Sequence, residues 1–292
     1  MAVPLIKLSG FLRLIKFSHS LFALPFALTS VVFAARWGLL PGRAAWELVL
    51  WVVLAMVGAR SGAMGFNRLV DIQWDAQNPR TENRPSVTGE VSKPTMGVMI
   101  LLSFALLVFA AWKLNPLAFY LSPVAIVLVS FYSLTKRFTA LCHLFLGLAI
   151  GVAPVAAWVA VRGEVSATSL VLGLSVLCWI TGFDILYALQ DVEFDRQVGL
   201  HSIPVRLGVA NSLNLSRLLH LGALACWVWL TWALQLGVIW QVGVGVATGF
   251  LVYEHLLLKG GDLRKLDLAF FNLNAYLSMT LFLAALGDFW WG

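Results

Sequence analysis

Residues 67–85 read NRLVDIQWDAQNPRTENRP and directly follow an apolar stretch at 46–66. Within them Asn67, Asp71 and Asp75, here called the first acidic motif, recur every four residues. On a helix this spacing brings three oxygen-bearing side chains to one face. Clustered carboxylates repel one another unless a cation joins them, and oxygen-only ligands are typical of Mg²⁺. The stretch therefore predicts a helix that ends in a magnesium site, the alternative being a solvated helix end with chance acids.

A second acidic motif consists of Asp184, Asp191 and Asp195, spaced by seven and four residues, and Tyr187 falls on the same helical face. Asp184 follows an apolar run and is expected at membrane depth, where a carboxylate is costly unless it faces a cavity or a partner. A structural ion pair is the alternative. Eight of the chain's 14 acidic residues lie in or beside the two motifs, which indicates two metal sites and a polyanionic substrate.

The composition indicates a multi-pass membrane protein. Of the 292 residues, 60% are hydrophobic and only 12% are charged, whereas soluble domains are roughly one quarter charged. The three cysteines are scattered, which predicts neither a disulfide framework nor a zinc site. A net charge of +6 in such a chain indicates positive inside loops and no nucleic-acid binding.

Nine apolar stretches approach the length of about 20 residues that a membrane-spanning helix needs. They predict an all-α, multi-pass membrane protein with nine transmembrane helices in a single domain over 1–292, with a basic interfacial segment at 1–17. The stretches are 18–36, 46–66, 95–113, 116–134, 140–160, 166–190, 212–234, 236–257 and 268–290.

The distribution of lysine and arginine predicts the orientation. With nine spans, 15 of the 20 lysines and arginines fall on one side of the membrane, four fall on the other, and Arg60 lies within a span. Basic residues accumulate on the cytoplasmic side. The N-terminus and both acidic motifs are therefore predicted to be cytoplasmic.

Several basic residues near the motifs are candidates to bind an anion. Arg80 and Arg84 follow the first acidic motif, and guanidinium forks match phosphate oxygens, although ordinary positive-inside charge is an equal alternative. Lys136 and Arg137 end the fourth predicted span, where they would either cap an anionic substrate or extend to the interface.

Arg60 is the more informative basic residue. It lies seven residues before Asn67, two helical turns deeper on the same face. An arginine at that depth is expected to face a polar cavity, where it would bind a diphosphate or a carboxylate.

Together these residues resemble the UbiA superfamily of intramembrane prenyltransferases. The resemblance is carried by residues 67–85, by DILYALQDVEFDRQVGLHSIPVRLG at 184–208, by YSLTKR at 132–137 and by Arg60, and it extends over essentially the whole chain. The sequence is most similar to the 4-hydroxybenzoate polyprenyltransferases and to the enzymes that prenylate a naphthoate in menaquinone synthesis.

The resemblance implies helices around a central cavity that is open to the lipid, and it implies roles for the residues above. One Mg²⁺ would be held by Asn67, Asp71 and Asp75, and another by Asp191 and Asp195 with support from Asp184. The residues expected to be catalytic are Asn67, Asp71, Asp191 and Asp195. A polyprenyl diphosphate would bind Arg80, Arg84 and Lys136, and the aromatic acid would contact Arg60, Arg137 and Tyr187.

The expected activity is magnesium-dependent transfer of a polyprenyl group to a hydroxylated aromatic acid in quinone biosynthesis, in the inner membrane of a prokaryote. Transfer to a dihydroxynaphthoate is one alternative. A cation- or proton-coupled transporter is another, although transporter sites usually lie near the bilayer midplane. No residue is singled out as the base that removes the final proton, and the sequence predicts neither the prenyl length nor the oligomeric state.

Overall fold

The computed structural model describes residues 13–14, 23–42, 44–258 and 266–292. The predicted interfacial segment at 1–17 lies almost entirely outside these residues. Within them all regular structure is helical. The helices are α1 (Leu24–Ala35), α2 (Ala45–Val70), α3 (Ile72–Asp75), α4 (Lys93–Leu114), α5 (Pro116–Thr135), α6 (Cys142–Arg162), α7 (Ala167–Tyr187), α8 (Val192–Gln197), α9 (Ile203–Ala233), α10 (Val238–Leu257) and α11 (Leu266–Trp291), with a short 3-10 turn at Ala188–Asp191.

The long helices coincide with the predicted apolar stretches. Within the described part of the chain, six are long and apolar enough to cross a membrane: α2, α4, α5, α6, α7 with its continuation to Gln197, and α9. Helix α1 is apolar but has only 12 residues. The protein is therefore an all-helical integral membrane protein. Helix α9 begins earlier than the predicted 212–234, because Ser202 caps it at Ile203. A kink at Gly208, where φ is 75°, separates this first segment from the rest of the helix.

Short polar side chains set the starts of several helices. Asn115 accepts a hydrogen bond from the backbone N–H of Ala118 at 2.9 Å, and Pro116 occupies the first turn of α5. Ser166 and Ser169 form a reciprocal capping box at the start of α7. These contacts satisfy backbone donors that a helix leaves free at its N-terminus. They allow two apolar helices to follow each other after a very short turn.

Small residues allow the helices to pack closely. Helix α2 lies along α4, and α7 packs against both α6 and α9. A Cβ atom added to Gly58 in α2 would lie 2.6 Å from the carbonyl oxygen of Ser103 and 2.8 Å from the amide nitrogen of Leu107, both in α4. Close backbone approach of this kind is a common way for membrane helices to associate.

Both acidic motifs lie where a long helix is interrupted. Helix α2 ends at Val70, and Asp71 has φ −97° and ψ 4° before α3 begins. After Tyr187 the chain forms the 3-10 turn and then α8. The expectation that a single uninterrupted helix carries each motif is therefore wrong. The carbonyl oxygen of Asp71 accepts hydrogen bonds from the backbone N–H groups of Trp74 and Asp75, which begins a new helical turn.

Candidate active site

The two helix interruptions enclose one polar cavity of about 350 Å³. All twelve side chains predicted to form the site line this cavity, although they come from helices that are distant in sequence. They are Arg60, Asn67, Asp71, Asp75, Arg80, Arg84, Lys136, Arg137, Asp184, Tyr187, Asp191 and Asp195. The two acidic motifs therefore lie at the same end of the helical bundle.

Arginines after the first motif connect the two motifs. Nη2 of Arg80 lies 2.6 Å from Oδ2 of Asp191, and Nε of Arg80 donates to Oδ1 of the same carboxylate at 3.2 Å. The guanidinium of Arg80 also donates to the hydroxyl of Tyr187 at 3.1 Å. Nη1 of Arg84 lies 2.6 Å from Oδ1 of Asp75. Bidentate pairs such as Arg80–Asp191 fix geometry as well as charge.

The end of α5 supplies two further pairs. Nζ of Lys136 lies 2.7 Å from Oδ1 of the fully buried Asp195. Nη2 of Arg137 lies 3.3 Å from Oδ1 of Asp71, and its guanidinium carbon lies 4.3 Å from the ring centroid of Trp74. Both predicted diphosphate arginines and the Lys136–Arg137 pair therefore already contact motif carboxylates.

Both polar atoms of the Asn67 side-chain amide make hydrogen bonds to neighbouring side chains. Its Nδ2 donates to Oδ2 of Asp71 at 3.0 Å, and its Oδ1 accepts from Nη1 of Arg68 at 3.2 Å. Arg68 is 8% exposed and lines the cavity. The sequence prediction did not include Arg68, although its position beside Asn67 on a charge-poor helix was a usable signal.

Arg60 differs from the other cavity arginines because no hydrogen bond or ion pair joins it to any residue that the structure describes. Its Nε is buried and has no hydrogen-bond partner there. The side chain as a whole is half-buried at the cavity wall, where an anionic ligand would supply the partner that Nε lacks.

Asp184 has a partner that the sequence prediction did not identify. Its Oδ2 lies 2.7 Å from Nδ1 of His143, which is 3% exposed and comes from α6. Nε2 of His143 accepts a hydrogen bond from the backbone N–H of Ile203 at 3.3 Å. The partner of Asp184 is thus a histidine from another helix, 41 residues earlier in the chain, and the sequence gives no direct signal of this contact.

The donor set fits a hard divalent ion that is completed by water and substrate. Across the described ranges, no three His, Cys, Asp or Glu side chains converge closely enough to hold a metal by themselves. Mg²⁺ commonly uses only one or two carboxylates together with water and phosphate oxygens. Oδ2 of Asp75 is buried without a hydrogen-bond partner in the described structure, and is thus available as a ligand. Burial and then the neighbouring Asp75 carboxylate raise the pKa of Asp71, which a bound cation would offset.

The profile of the UbiA prenyltransferase family matches residues 23–278. The chain belongs to this family. The protein is therefore an intramembrane prenyltransferase. Membership in the UbiA family favours the predicted enzyme over the alternative of a transporter.

Individual relatives agree with the family assignment. A 4-hydroxybenzoate octaprenyltransferase from Shewanella woodyi is 32% identical over 241 residues, which cover 81% of this chain and 82% of the relative. The apo structure of a UbiA homologue from Aeropyrum pernix K1 has a TM-score of 0.83 and 29% identity, covering 93% of this chain and 98% of the homologue. A UbiA homologue from Archaeoglobus fulgidus bound to DMAPP and Mg²⁺ shares the fold, with a TM-score of 0.67 and 19% identity over 95% of this chain and 99% of the homologue.

Proposed function

We propose that this UbiA-family enzyme transfers a polyprenyl group from a polyprenyl diphosphate to 4-hydroxybenzoate in quinone biosynthesis, with Mg²⁺ as cofactor. The observation that carries the proposal is the single cavity that joins both acidic motifs to the predicted basic residues and to the unpaired Arg60. The name of the Shewanella relative favours 4-hydroxybenzoate over the alternative acceptor, a dihydroxynaphthoate.

The proposal includes a single domain over 1–292 with nine transmembrane helices around a cavity that is open to the lipid. It places the N-terminus and the active site on the cytoplasmic side of a prokaryotic inner membrane. The lysine and arginine distribution and the nine apolar stretches support this topology. The polyprenyl tail would lie in the membrane while the diphosphate stays in the polar cavity.

The diphosphate site consists of side chains that are already positioned by carboxylates. Arg80, Arg84 and Lys136 would bind diphosphate oxygens, because guanidinium and ammonium groups donate several hydrogen bonds to phosphate. Mg²⁺, when held by the first acidic motif and by Asp191 and Asp195, would neutralise the negative charge that develops on the departing diphosphate. The Archaeoglobus homologue described with DMAPP and Mg²⁺ supports this ligand class.

Asp184 was also predicted as a metal ligand. One of its carboxylate oxygens, Oδ2, already contacts His143, so its role as a ligand stays a prediction. It is therefore left out of the two metal sites proposed here.

The acceptor site lies deeper along α2. Arg60 would bind the carboxylate of the aromatic acid, and Arg137 and Tyr187 would orient the ring from the motif side of the cavity. Aligning the ring with the allylic carbon and excluding water favours carbon–carbon bond formation over capture of the cation by water.

Two alanine variants test the metal assignment. Asp71→Ala and Asp191→Ala are each expected to lower magnesium-dependent transfer by roughly a hundredfold or more, because charge on the leaving diphosphate is no longer stabilised. Products from labelled prenyl diphosphate and 4-hydroxybenzoate in detergent would be measured by mass spectrometry. Glu193→Ala is the matched control, since Glu193 is an exposed acid beside Asp191.

Retained transfer in both variants would refute the proposed metal sites. Offering a dihydroxynaphthoate in parallel tests the acceptor, because exclusive prenylation of that compound would replace 4-hydroxybenzoate in the proposal.

A further inference from the structure

The reaction leaves a proton that must be removed from the aromatic ring. The bond between C1 of the prenyl group and the diphosphate oxygen breaks, and its electron pair leaves with the diphosphate. A ring carbon beside the hydroxyl then forms a bond to C1. That carbon still carries its hydrogen, and the ring regains aromaticity only when the C–H electron pair returns to it and the proton goes to a base.

Four of the five carboxylates that line the cavity are poorly suited to accept this proton. In each of the four, a carboxylate oxygen lies no more than 3.3 Å from a guanidinium or ammonium nitrogen. They are Asp71, Asp75, Asp191 and Asp195. In the proposed function they also face magnesium. Opposite charge favours the ionised form of a carboxylate and therefore weakens it as a proton acceptor.

Asp184 is arranged differently. Because Nε2 of His143 accepts a hydrogen bond from the backbone of Ile203, the imidazole proton is on Nδ1 and is donated to Oδ2 of Asp184. The contact therefore orients the carboxylate without placing a fixed guanidinium or ammonium beside it. Oδ1 of Asp184 makes no hydrogen bond with the part of the chain that the structure describes, and the side chain, 24% exposed, lines the cavity.

Asp184 also lines the cavity in which the acceptor is placed. It precedes Asp191 by seven residues, as Arg60 precedes Asn67 by seven. Seven residues correspond to roughly 10 Å along an α-helix, and to somewhat more where four of them form the 3-10 turn before Asp191. Arg60 on α2 and Asp184 on α7 thus both line the cavity, each about two helical turns before the proposed metal-binding residues that follow it in the chain. A ring whose carboxylate binds Arg60 would therefore share this cavity with the carboxylate of Asp184.

We propose that Asp184 is the base that takes the ring proton on Oδ1, and that His143 is the positioning residue that holds it. This rests on the proposed function and gives Asp184 a role other than metal ligation. The proton returns from Asp184 to water after the product leaves. The rival acceptor is the departed diphosphate itself.

Ring-deuterated acceptor tests the proposal. With 4-hydroxybenzoate deuterated at both carbons beside the hydroxyl, the Asp184→Asn variant is expected to lose roughly a hundredfold or more in turnover, typical of losing a general base. Proton loss then limits the rate, so a primary deuterium isotope effect appears in the variant that is absent or smaller in the wild type. The magnesium concentration that gives half-maximal activity stays at the wild-type value.

His143 variants separate positioning from folding. His143→Phe removes the donor to Asp184 and is expected to show the same isotope effect, whereas His143→Gln keeps an amide donor and retains more turnover. Thermal unfolding in detergent checks that each variant is folded. Exchange of ¹⁸O between bridging and terminal positions of the prenyl diphosphate shows that Asp184→Asn still ionises its substrate.

The outcomes are distinguishable. Absence of product in the wild type overturns the proposed function. Product in the wild type with normal turnover or no isotope effect in Asp184→Asn overturns the role of Asp184 and favours diphosphate as the base. A raised magnesium requirement in Asp184→Asn would make Asp184 a metal ligand and would also overturn the proposal.

Discussion

Single side chains in the cavity differ mainly in whether a partner already neutralises them. Arg80, Arg84 and Lys136 each lie within 2.7 Å of a motif carboxylate, whereas Arg60 has no such partner in the described residues. In the proposed function, the paired cations would be held in place for a diphosphate that must later leave. An unpaired cation attracts an anion more strongly, because the ligand removes the cost of an isolated buried charge.

Arg60→Gln is expected to weaken binding of the aromatic acid selectively. Hydrogen bonds to a charged group contribute about 1.5–3 kcal/mol, so the KM for 4-hydroxybenzoate is expected to rise roughly tenfold to a hundredfold. The KM for the prenyl diphosphate should change little. Steady-state kinetics with each substrate varied in turn measures both values.

Arg196→Gln is the control for the Arg60 variant, because Arg196 is an exposed arginine that contacts only Glu193 among the described side chains. If Arg60→Gln instead raised the KM for the prenyl diphosphate alone, Arg60 would belong to the diphosphate site.

The raised pKa of Asp71 predicts a pH dependence. Burial, and secondarily the carboxylate of Asp75, stabilise the protonated form of Asp71. Magnesium binds the ionised carboxylate, so its affinity falls as the pH drops toward that raised pKa. We expect the half-saturating magnesium concentration to increase as the pH falls toward that raised pKa, measured by calorimetric titration of the detergent-solubilised enzyme at each pH. The increase should be smaller in Asp71→Asn, and an affinity independent of pH in the wild type would contradict the assignment.

At the scale of helices, the sequence was informative about where helices lie and less informative about where they break. Apolar stretches such as 116–134 predicted α5 almost to the residue, because membrane helices need a fixed apolar length. The four-residue spacing of the first acidic motif placed its side chains near one another but did not predict that α2 ends at Val70. That interruption depends on contacts with other helices, as does the pairing of Asp184 with His143.

Close packing of α2 on α4 is expected to be sensitive to a single methyl group. In Gly58→Ala the new Cβ would meet backbone atoms of Ser103 and Leu107 at under 3 Å, and backbone cannot rotate away. Overpacking of this kind typically costs about 1–3 kcal/mol. Because α2 carries Arg60 and Asn67, activity should fall along with the unfolding temperature in detergent.

Gly97→Ala is the matched control for packing, since Gly97 lies in α4 and a Cβ atom added there would have no atom of a neighbouring residue within 4 Å. Alanine is also the better helix former, so this variant should be as stable as the wild type or more stable. Equal unfolding temperatures for Gly58→Ala and Gly97→Ala would contradict the prediction, because they would show that α2 and α4 can move apart for the added methyl group without loss of stability.

For the molecule as a whole, the cavity is a balanced mixture of charges in a chain that otherwise has few. Six basic and five acidic side chains line it: Arg60, Arg68, Arg80, Arg84, Lys136 and Arg137, with Asp71, Asp75, Asp184, Asp191 and Asp195. A diphosphate alone would add several negative charges to this low-dielectric site, and magnesium alone would compete with the paired guanidinium groups. In the proposed function, the two together would let the four paired carboxylates exchange a basic side chain for a metal, and let their four basic partners exchange a carboxylate for phosphate.

Magnesium and diphosphate are therefore expected to bind cooperatively. Coupling between sites is reciprocal and typically amounts to about 1–3 kcal/mol, so saturating Mg²⁺ should tighten pyrophosphate binding roughly fivefold or more, and pyrophosphate should tighten magnesium binding by the same factor. Calorimetry on the detergent-solubilised enzyme, with the solution Mg²⁺–pyrophosphate equilibrium subtracted, measures both. Asp191→Asn should lose most of the coupling, because Arg80 is then no longer held by a carboxylate and one metal ligand is weakened. Independent binding of the two ligands in the wild type would mean that the four ion pairs persist during catalysis and do not exchange.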